Sequence, residues 1–192
     1  TYTTAGYVIL FQHGGTASAP LTITTYPGDA PARLVGNIQV AYGSDAITLS
    51  DLHIDSSNDV PPTGGYSTID VYGNDITITN DDITNGGQTS CINLGNINYY
   101  PAIQSPHITQ NYIHGCGPIT STQTPGIADD ASQNATIQGN VIYNVGGYAI
   151  QLYPSAQNTL VAHNLTDGTN STRGGLTLSL IHISEPTRQA EI

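Results

Sequence analysis

Lysine, tryptophan and methionine are absent, and phenylalanine occurs once, at Phe11. The two glutamates, Glu185 and Glu191, both lie in the last stretch of the chain. With three arginines against 14 acidic residues the formal net charge is −11. A surface of that sign without a basic stripe repels phosphate backbones, which argues against nucleic acid as a partner. No apolar run approaches the roughly 18 residues that a membrane-spanning helix needs, so no membrane span is expected. Only two cysteines are present, Cys91 and Cys116, too few for a disulfide-rich scaffold.

The late glutamates mark a change of composition. Leu178 to Arg188, LSLIHISEPTR, resembles the translation of a transposase-type sequencing adapter, and Gln189 to Ile192 would follow it as index bases. The segment 178–192 is therefore set apart from the fold as a non-native tail, the alternative being a native tail of unusual composition. Residues 1–177 are then one domain, a truncated coil, with 12 Asp against Arg33 and Arg173 and a net charge of 2 − 12 = −10. That Lys-free, Tyr-rich, hydroxyl- and amide-rich composition suits an exported or cell-surface protein.

What the sequence does contain is a repeat. An aliphatic residue, two positions, a turn residue, one position and usually another aliphatic recur as Leu49-Leu52-Ile54, Ile78-Asp81-Ile83, Ile108-Asn111-Ile113, Ile137-Asn140-Ile142 and Val161-Asn164-Thr166. The leading positions are 29, 30, 29 and 24 residues apart. A period of this length indicates a solenoid, and strand-like alternation without a 3.6-residue period makes it a β solenoid. Ile54, Ile83, Ile113 and Ile142 form one expected core column; Ile69, Ile92, Ile127, Ile150 and Leu176 form another. Val71, Leu94 and Leu152 point inward beside the second. Asn111, Asn140 and Asn164 fall at one corner, where stacked amides can bond from coil to coil. Asp81 and Leu52 are expected to interrupt that ladder.

Through GTASAPLTITTYPGD, SPHITQNYIHGCG and NATIQGNVIYN with AIQLYPSAQNT, roughly Thr16 to Thr177, the chain resembles right-handed parallel β-helix proteins of the pectin-lyase-like fold. The resemblance implies an all-β, single-stranded right-handed parallel β-helix, here incomplete. It implies a polysaccharide or other glycan as partner and a monomer when the protein is complete. The fold hosts several chemistries, so activity has to come from a site. Two readings stand: a secreted polysaccharide lyase or glycoside hydrolase, and a non-catalytic glycan-binding or structural β-helix.

The strand column after the Asn corner carries the candidate groove. One outward row there is Asp70, Asn93, Ala128, Gln151 and Thr177; the next is Tyr72, Gly95, Asp130 and Tyr153. The insertions Asn96 to Ser105 and Gly115 to Pro125 flank this face, and Tyr99 and Tyr100 in the first could stack on sugar rings. Asp70, Tyr72, Asn93, Tyr99, Tyr100, Gln151 and Tyr153 are the substrate-binding candidates. Asp129 and Asp130, adjacent carboxylates, are the catalytic candidates, with His114 on an outward row beside the long loop. No cofactor is required by the sequence; Ca²⁺ is the ion that adjacent carboxylates could take. The register turns Asp129 inward, where a lone carboxylate is costly, so a bulge, a buried partner or a local slip is expected there.

Mechanistic expectations are negative. Asp70 and Asp130 stand two coils apart, about 10 Å at the 4.8 Å rung spacing, beyond the roughly 6.5–9.5 Å of an inverting pair. A lyase of the kind the resemblance implies uses a Lys or Arg base, and neither Arg33 nor Arg173 is expected on the groove face. The histidines before the tail show no zinc-type spacing. Cys91 and Cys116, 25 residues apart in successive coils, could form a disulfide bracing the Asn96 to Ser105 loop; two buried thiols are the alternative.

Overall fold

A computed structural model describes residues 1–57, 67–84, 89–118, 124–168 and 173–178. The chain winds as a coil whose rungs lay three short strands on three faces. Face A holds β2 (Leu21–Thr24), β4 (Ile47–Ser50), β7 (Thr77–Thr79), β11 (His107–Thr109), β15 (Thr136–Gln138) and β18 (Leu160–Ala162), paired in that order. Face B follows one tight corner later with β5 (Leu52–Asp55), β8 (Asp82–Thr84), β12 (Tyr112–His114), β16 (Val141–Tyr143) and β19 (Leu165–Asp167). Face C holds β6 (Ile69–Val71), β9 (Ile92–Leu94), β13 (Ile127–Asp129), β17 (Tyr148–Leu152) and β20 (Gly174–Leu178). β20 runs through Leu178, one residue past the expected domain end, and 179–192 lie outside the described residues.

Faces B and C are joined by β3 (Ala32–Val40), which pairs with β5 through Ala32–Val35 and with β6 through Ile38–Val40. It turns the edge at Gly36, where φ is +135° and an added Cβ would stand 2.7 Å from the Gly6 carbonyl oxygen. Only glycine fits there. β1 (Tyr2–Phe11) pairs in parallel with β3, and the small pair β10 (Ile103–Gln104) and β14 (Ser132–Gln133) edges the corner between faces C and A.

Every named strand pair is parallel, and the partners are the residues the repeat predicts. Ile54, Ile83, Ile113 and Ile142 stack on face B; Leu49, Ile78, Ile108 and Ile137 stack on face A. Ile69, Ile92, Ile127 and Ile150 stack on face C, and all these side chains are buried. Each contributes about 1.5–3 kcal/mol of apolar burial, which a single coil could not supply alone.

Two of the three corners are made by single residues in the left-handed region. Between faces A and B these are Asp51, Asn80, Gln110, Gly139 and His163; before face A they are Ala46, Asp75, Ser105, Asn134 and Asn158. The ladder begins one residue after each A–B corner. Asn111 Nδ2 donates to Asn140 Oδ1 (3.0 Å) and Asn140 Nδ2 to Asn164 Oδ1 (2.9 Å), and each also reaches a carbonyl of the preceding coil. Asp81 does not interrupt it. The Asp81 amide donates to Asn111 Oδ1 at 3.0 Å, and Asp81 Oδ1 accepts the Leu52 amide at 2.8 Å. The expectation of a break is corrected: the slot requires an acceptor oxygen toward the preceding rung, and a carboxyl supplies one as well as an amide does.

Cys91 and Cys116 are joined in a disulfide, Cα atoms 5.3 Å apart, with both residues buried. Cys91 leads into β9 and Cys116 follows β12, so the bridge ties face C of one coil to the B–C corner of the next. It spans the Asn96 to Ser105 loop in sequence and fastens the coil rather than the loop.

Candidate functional site

Face C presents the expected row in register, Asp70, Asn93, Ala128, Gln151 and Thr177 side by side, and extends it by Gln39 beside Asp70. It is less open than alternation alone suggests. Asp70 and Ala128 are buried, whereas Asn93 and Gln151 are part-exposed, and the Asn93 amide folds onto the Gly95 carbonyl at 3.0 Å. The Asn96–Ser105 loop folds back beside this face. Tyr100 lies back on the face, stacked on Tyr42 (centroids 5.4 Å, 10° between planes) and tilted against Tyr72 (5.1 Å). Tyr100 is thus not a free stacking ring; Tyr99 beside it is 78 % exposed, and Tyr153 at the far end is 53 % exposed. The result is a partly covered strip of amides edged by tyrosines.

The two adjacent carboxylates part company. Asp129, the last residue of β13, is fully buried and accepts from Ser132 Oγ (2.7 Å) and Thr159 Oγ1 (3.0 Å) on one oxygen. Burial pushes its carboxyl up to about 6 despite those donors. So Asp129 has buried partners and cannot touch a ligand; the expectation that it is catalytic is corrected on that ground. Beyond the strand, the Asp130 and Ala131 amides both donate to the Leu94 carbonyl (3.0 and 3.1 Å), a local widening that leaves Asp130 part-exposed. Burial first, and the neighbouring Asp129 second, raise Asp130 to about 6.

Face B holds the densest chemistry. His53, Asp82 and His114 sit on consecutive strands β5, β8 and β12, all outward because Ile54, Ile83 and Ile113 fill the inward positions. Asp82 Oδ2 meets His53 Nδ1 at 2.8 Å and Asp82 Oδ1 meets His114 Nε2 at 2.9 Å. A carboxylate only accepts, so both facing nitrogens carry the protons. The Tyr112, His114 and Tyr143 rings lie 5.0–5.2 Å from one another, His114 stacked on Tyr143 at 17°. The Tyr112 and Tyr143 hydroxyls are 3.0 Å apart, and that hydrogen bond, ahead of burial, pushes the Tyr143 phenol up to about 12. Nearby, Arg33 pairs with Asp55 at 2.5 Å. The sequence names His114 but not His53, Asp82, Tyr112 or Tyr143. The signal was the register itself, which stacks these positions rung on rung.

His114 and Asp130 therefore lie on different faces, and Asp129 lies inside; the structure does not bring the three catalytic candidates together. The comparisons with known proteins bear on the scaffold alone. The family model for a right handed beta helix region matches residues 37–179. The chain belongs to the right-handed β-helix family. No curated protein and no solved structure matches it.

Within this β-helix, Asp129 is buried and Asp130 part-exposed, so the two adjacent carboxylates do not open onto one site. Among the described residues no three His, Cys, Asp or Glu side chains converge as metal ligands. Arg33 is paired with Asp55, and Arg173 immediately precedes β20.

Proposed function

We propose that this β-helix binds a neutral polysaccharide along face C, as part of an exported carbohydrate-active protein. The observation that carries the reading is the strip of part-exposed amides, Asn93 and Gln151, edged by Tyr72 with Tyr100 at one end and by Tyr153 at the other. Amides exchange hydrogen bonds with sugar hydroxyls, and tyrosine rings stack on pyranose faces at little entropic cost. A net charge of −11 favours a neutral chain over a polyuronate.

A hydrolase reading has one observation behind it. Asp130, raised to about 6, holds its proton in mildly acidic solution, where it could act as a general acid. The partner the sequence offers does not qualify: Asp70 stands two rungs from that strand in register and is buried. Binding is accordingly the function assigned to the face.

The test is affinity for neutral polysaccharides, measured on the whole chain and on Asp130→Asn and Tyr153→Ala. Removing one stacking ring should weaken binding about fivefold, equivalent to about 1 kcal/mol. Affinity and turnover unchanged in both variants would show that face C is not the groove.

A further inference from the structure

We infer that the cleft between β1, β2 and β3 binds an aliphatic chain carrying a cationic head group. The cleft lies at the first coil, apart from face C, and shares no residue with the proposed groove.

It arises because the first coil is built differently from the rest. Later coils pass from face A to face B through a single left-handed residue, such as Asp51 or Asn80. The first coil instead makes that passage through residues 25–31, between β2 and β3, and 26–31 are exposed. Its corner slot, filled by Leu52 and Asp81 in the next two coils, holds only the methyl of Ala32, which pairs with Leu52. The hollow beside that methyl measures about 530 Å³, within the roughly 300–1,000 Å³ of small-molecule sites.

The walls are aliphatic. Leu34 and Leu52 are its buried part, and Val8, Ile9 and Ile23 stand around them, part-exposed. Ile23 heads the column of Leu49, Ile78, Ile108 and Ile137, all of which are buried. The same inward position is wet in the first coil alone, where the cleft opens beside it. An alkyl chain laid there restores the dry surroundings and close contacts that the column has in every later coil.

Charge selects the head group. Thr25 Oγ1 donates to the Asp51 carbonyl and accepts the Ala32 amide at 2.8 Å, and Thr24 Oγ1 donates to Asp51 Oδ2 at 3.3 Å. Both hydroxyls are thus used in tying the end of β2 to its neighbours. Among the described residues lining the cleft, Asp29 is the only charged one. Its amide donates to the Tyr26 carbonyl at 3.1 Å, a turn that keeps Asp29 and Tyr26 together at the mouth. Tyr26 and Tyr2, both lining residues, are 78 % and 68 % exposed. A carboxylate beside open tyrosine rings attracts an ammonium through its charge and through the ring quadrupole, and it repels a fatty-acid carboxylate. Arg33, next to Ala32 in the chain, is paired with Asp55 and does not reverse that sign.

The cleft is tested on the whole chain by titration calorimetry with dodecyltrimethylammonium, dodecyl maltoside and dodecanoate, each below its micelle concentration. Saturable binding is expected, tightest for the ammonium and weakest for the carboxylate. Ala32→Leu, which gives the slot the side chain it carries at Leu52, should weaken ammonium and maltoside alike by about tenfold. Asp29→Asn should cost the ammonium about threefold and leave the maltoside unchanged. Asp75→Asn removes an exposed carboxylate at a corner of a later coil and should change neither, which separates the cleft from the general pull of an acidic surface on a cation. If Ala32→Leu fails to fold, as judged by circular dichroism, Asp29→Asn carries the test, because Asp29 lies on an exposed turn. Absence of saturable binding, an ammonium affinity indifferent to Asp29→Asn, equal losses in Asp29→Asn and Asp75→Asn, or dodecanoate bound as tightly as the ammonium overturns the proposal.

Discussion

Asp81 and Asn111 occupy the same corner slot one rung apart, the Asp81 amide donating to Asn111 Oδ1 at 3.0 Å. In the asparagine rungs the slot's other atom is Nδ2, a donor to a carbonyl of the preceding coil. In Asp81 that atom is Oδ2, buried and without a hydrogen-bond partner. Only a protonated Oδ2 reproduces the donor of the asparagine.

The pH dependence follows. Burial, reinforced by Asp51, raises Asp81 to about 7, against a donor contribution from the Leu52 amide. The folded state therefore holds a proton that the unfolded chain releases near pH 4. Between those values the folded state binds more protons, so stability falls as pH rises from about 4 to about 7 and is flat above. Asp129 and Asp130, both raised to about 6, add to the same slope. Asp81→Asn should remove the Asp81 share, which is on the order of 2–4 kcal/mol at pH 8 and near zero at pH 4. Urea denaturation at pH 4, 6 and 8 measures it; a variant no more stable than the parent at pH 8 would contradict the assignment.

The corners supply a second prediction, through two glycines with similar φ and different surroundings. Gly139 has φ +69° and a Cβ there would find its nearest neighbour, Gln110 Cγ, at 3.6 Å. Gly95 has φ +75°, but its Cβ would stand 2.3 Å from the Ala131 carbonyl oxygen. Gly139→Ala should cost only the left-handed penalty, about 1 kcal/mol. Gly95→Ala should cost clearly more, because backbone must move as well. Equal denaturation midpoints for the two variants would show that close approach at Gly95 does not matter.

These corners also explain what the sequence made legible. The isoleucine columns could be read because parallel in-register stacking places the same residue type at the same point of every coil, as Ile83, Ile113 and Ile142 do. The left-handed corners could not, since Asp51, Asn80, Gln110, Gly139 and His163 share a backbone angle and no side-chain chemistry. Asp81 was misread for the opposite reason: its residue type differs while its slot does not. The link from His114 to Asp82 and His53 stayed hidden because a spacing test looks along the chain, whereas the coil brings neighbours together across it. In the groove, the fold-back of Tyr100 onto Tyr42 and Tyr72 is a loop property that alternation on the strands does not encode.

The disulfide gives the third prediction. Cys91 and Cys116 close a loop of 25 residues that contains β9 through β12, so cutting the bond frees a whole rung in the unfolded chain. Loop-closure entropy places the loss at about 3 kcal/mol. Both sulfurs are buried against the core, so the double variant Cys91→Ala/Cys116→Ala adds a small cavity term to that loss. Reduction without substitution isolates the entropic part, since two thiols fill nearly the same volume. The melting temperature should therefore drop on adding reductant, and drop further in the double variant. No shift under reductant that fully converts the pair to thiols would mean that the stacked isoleucine columns alone hold the third and fourth coils together.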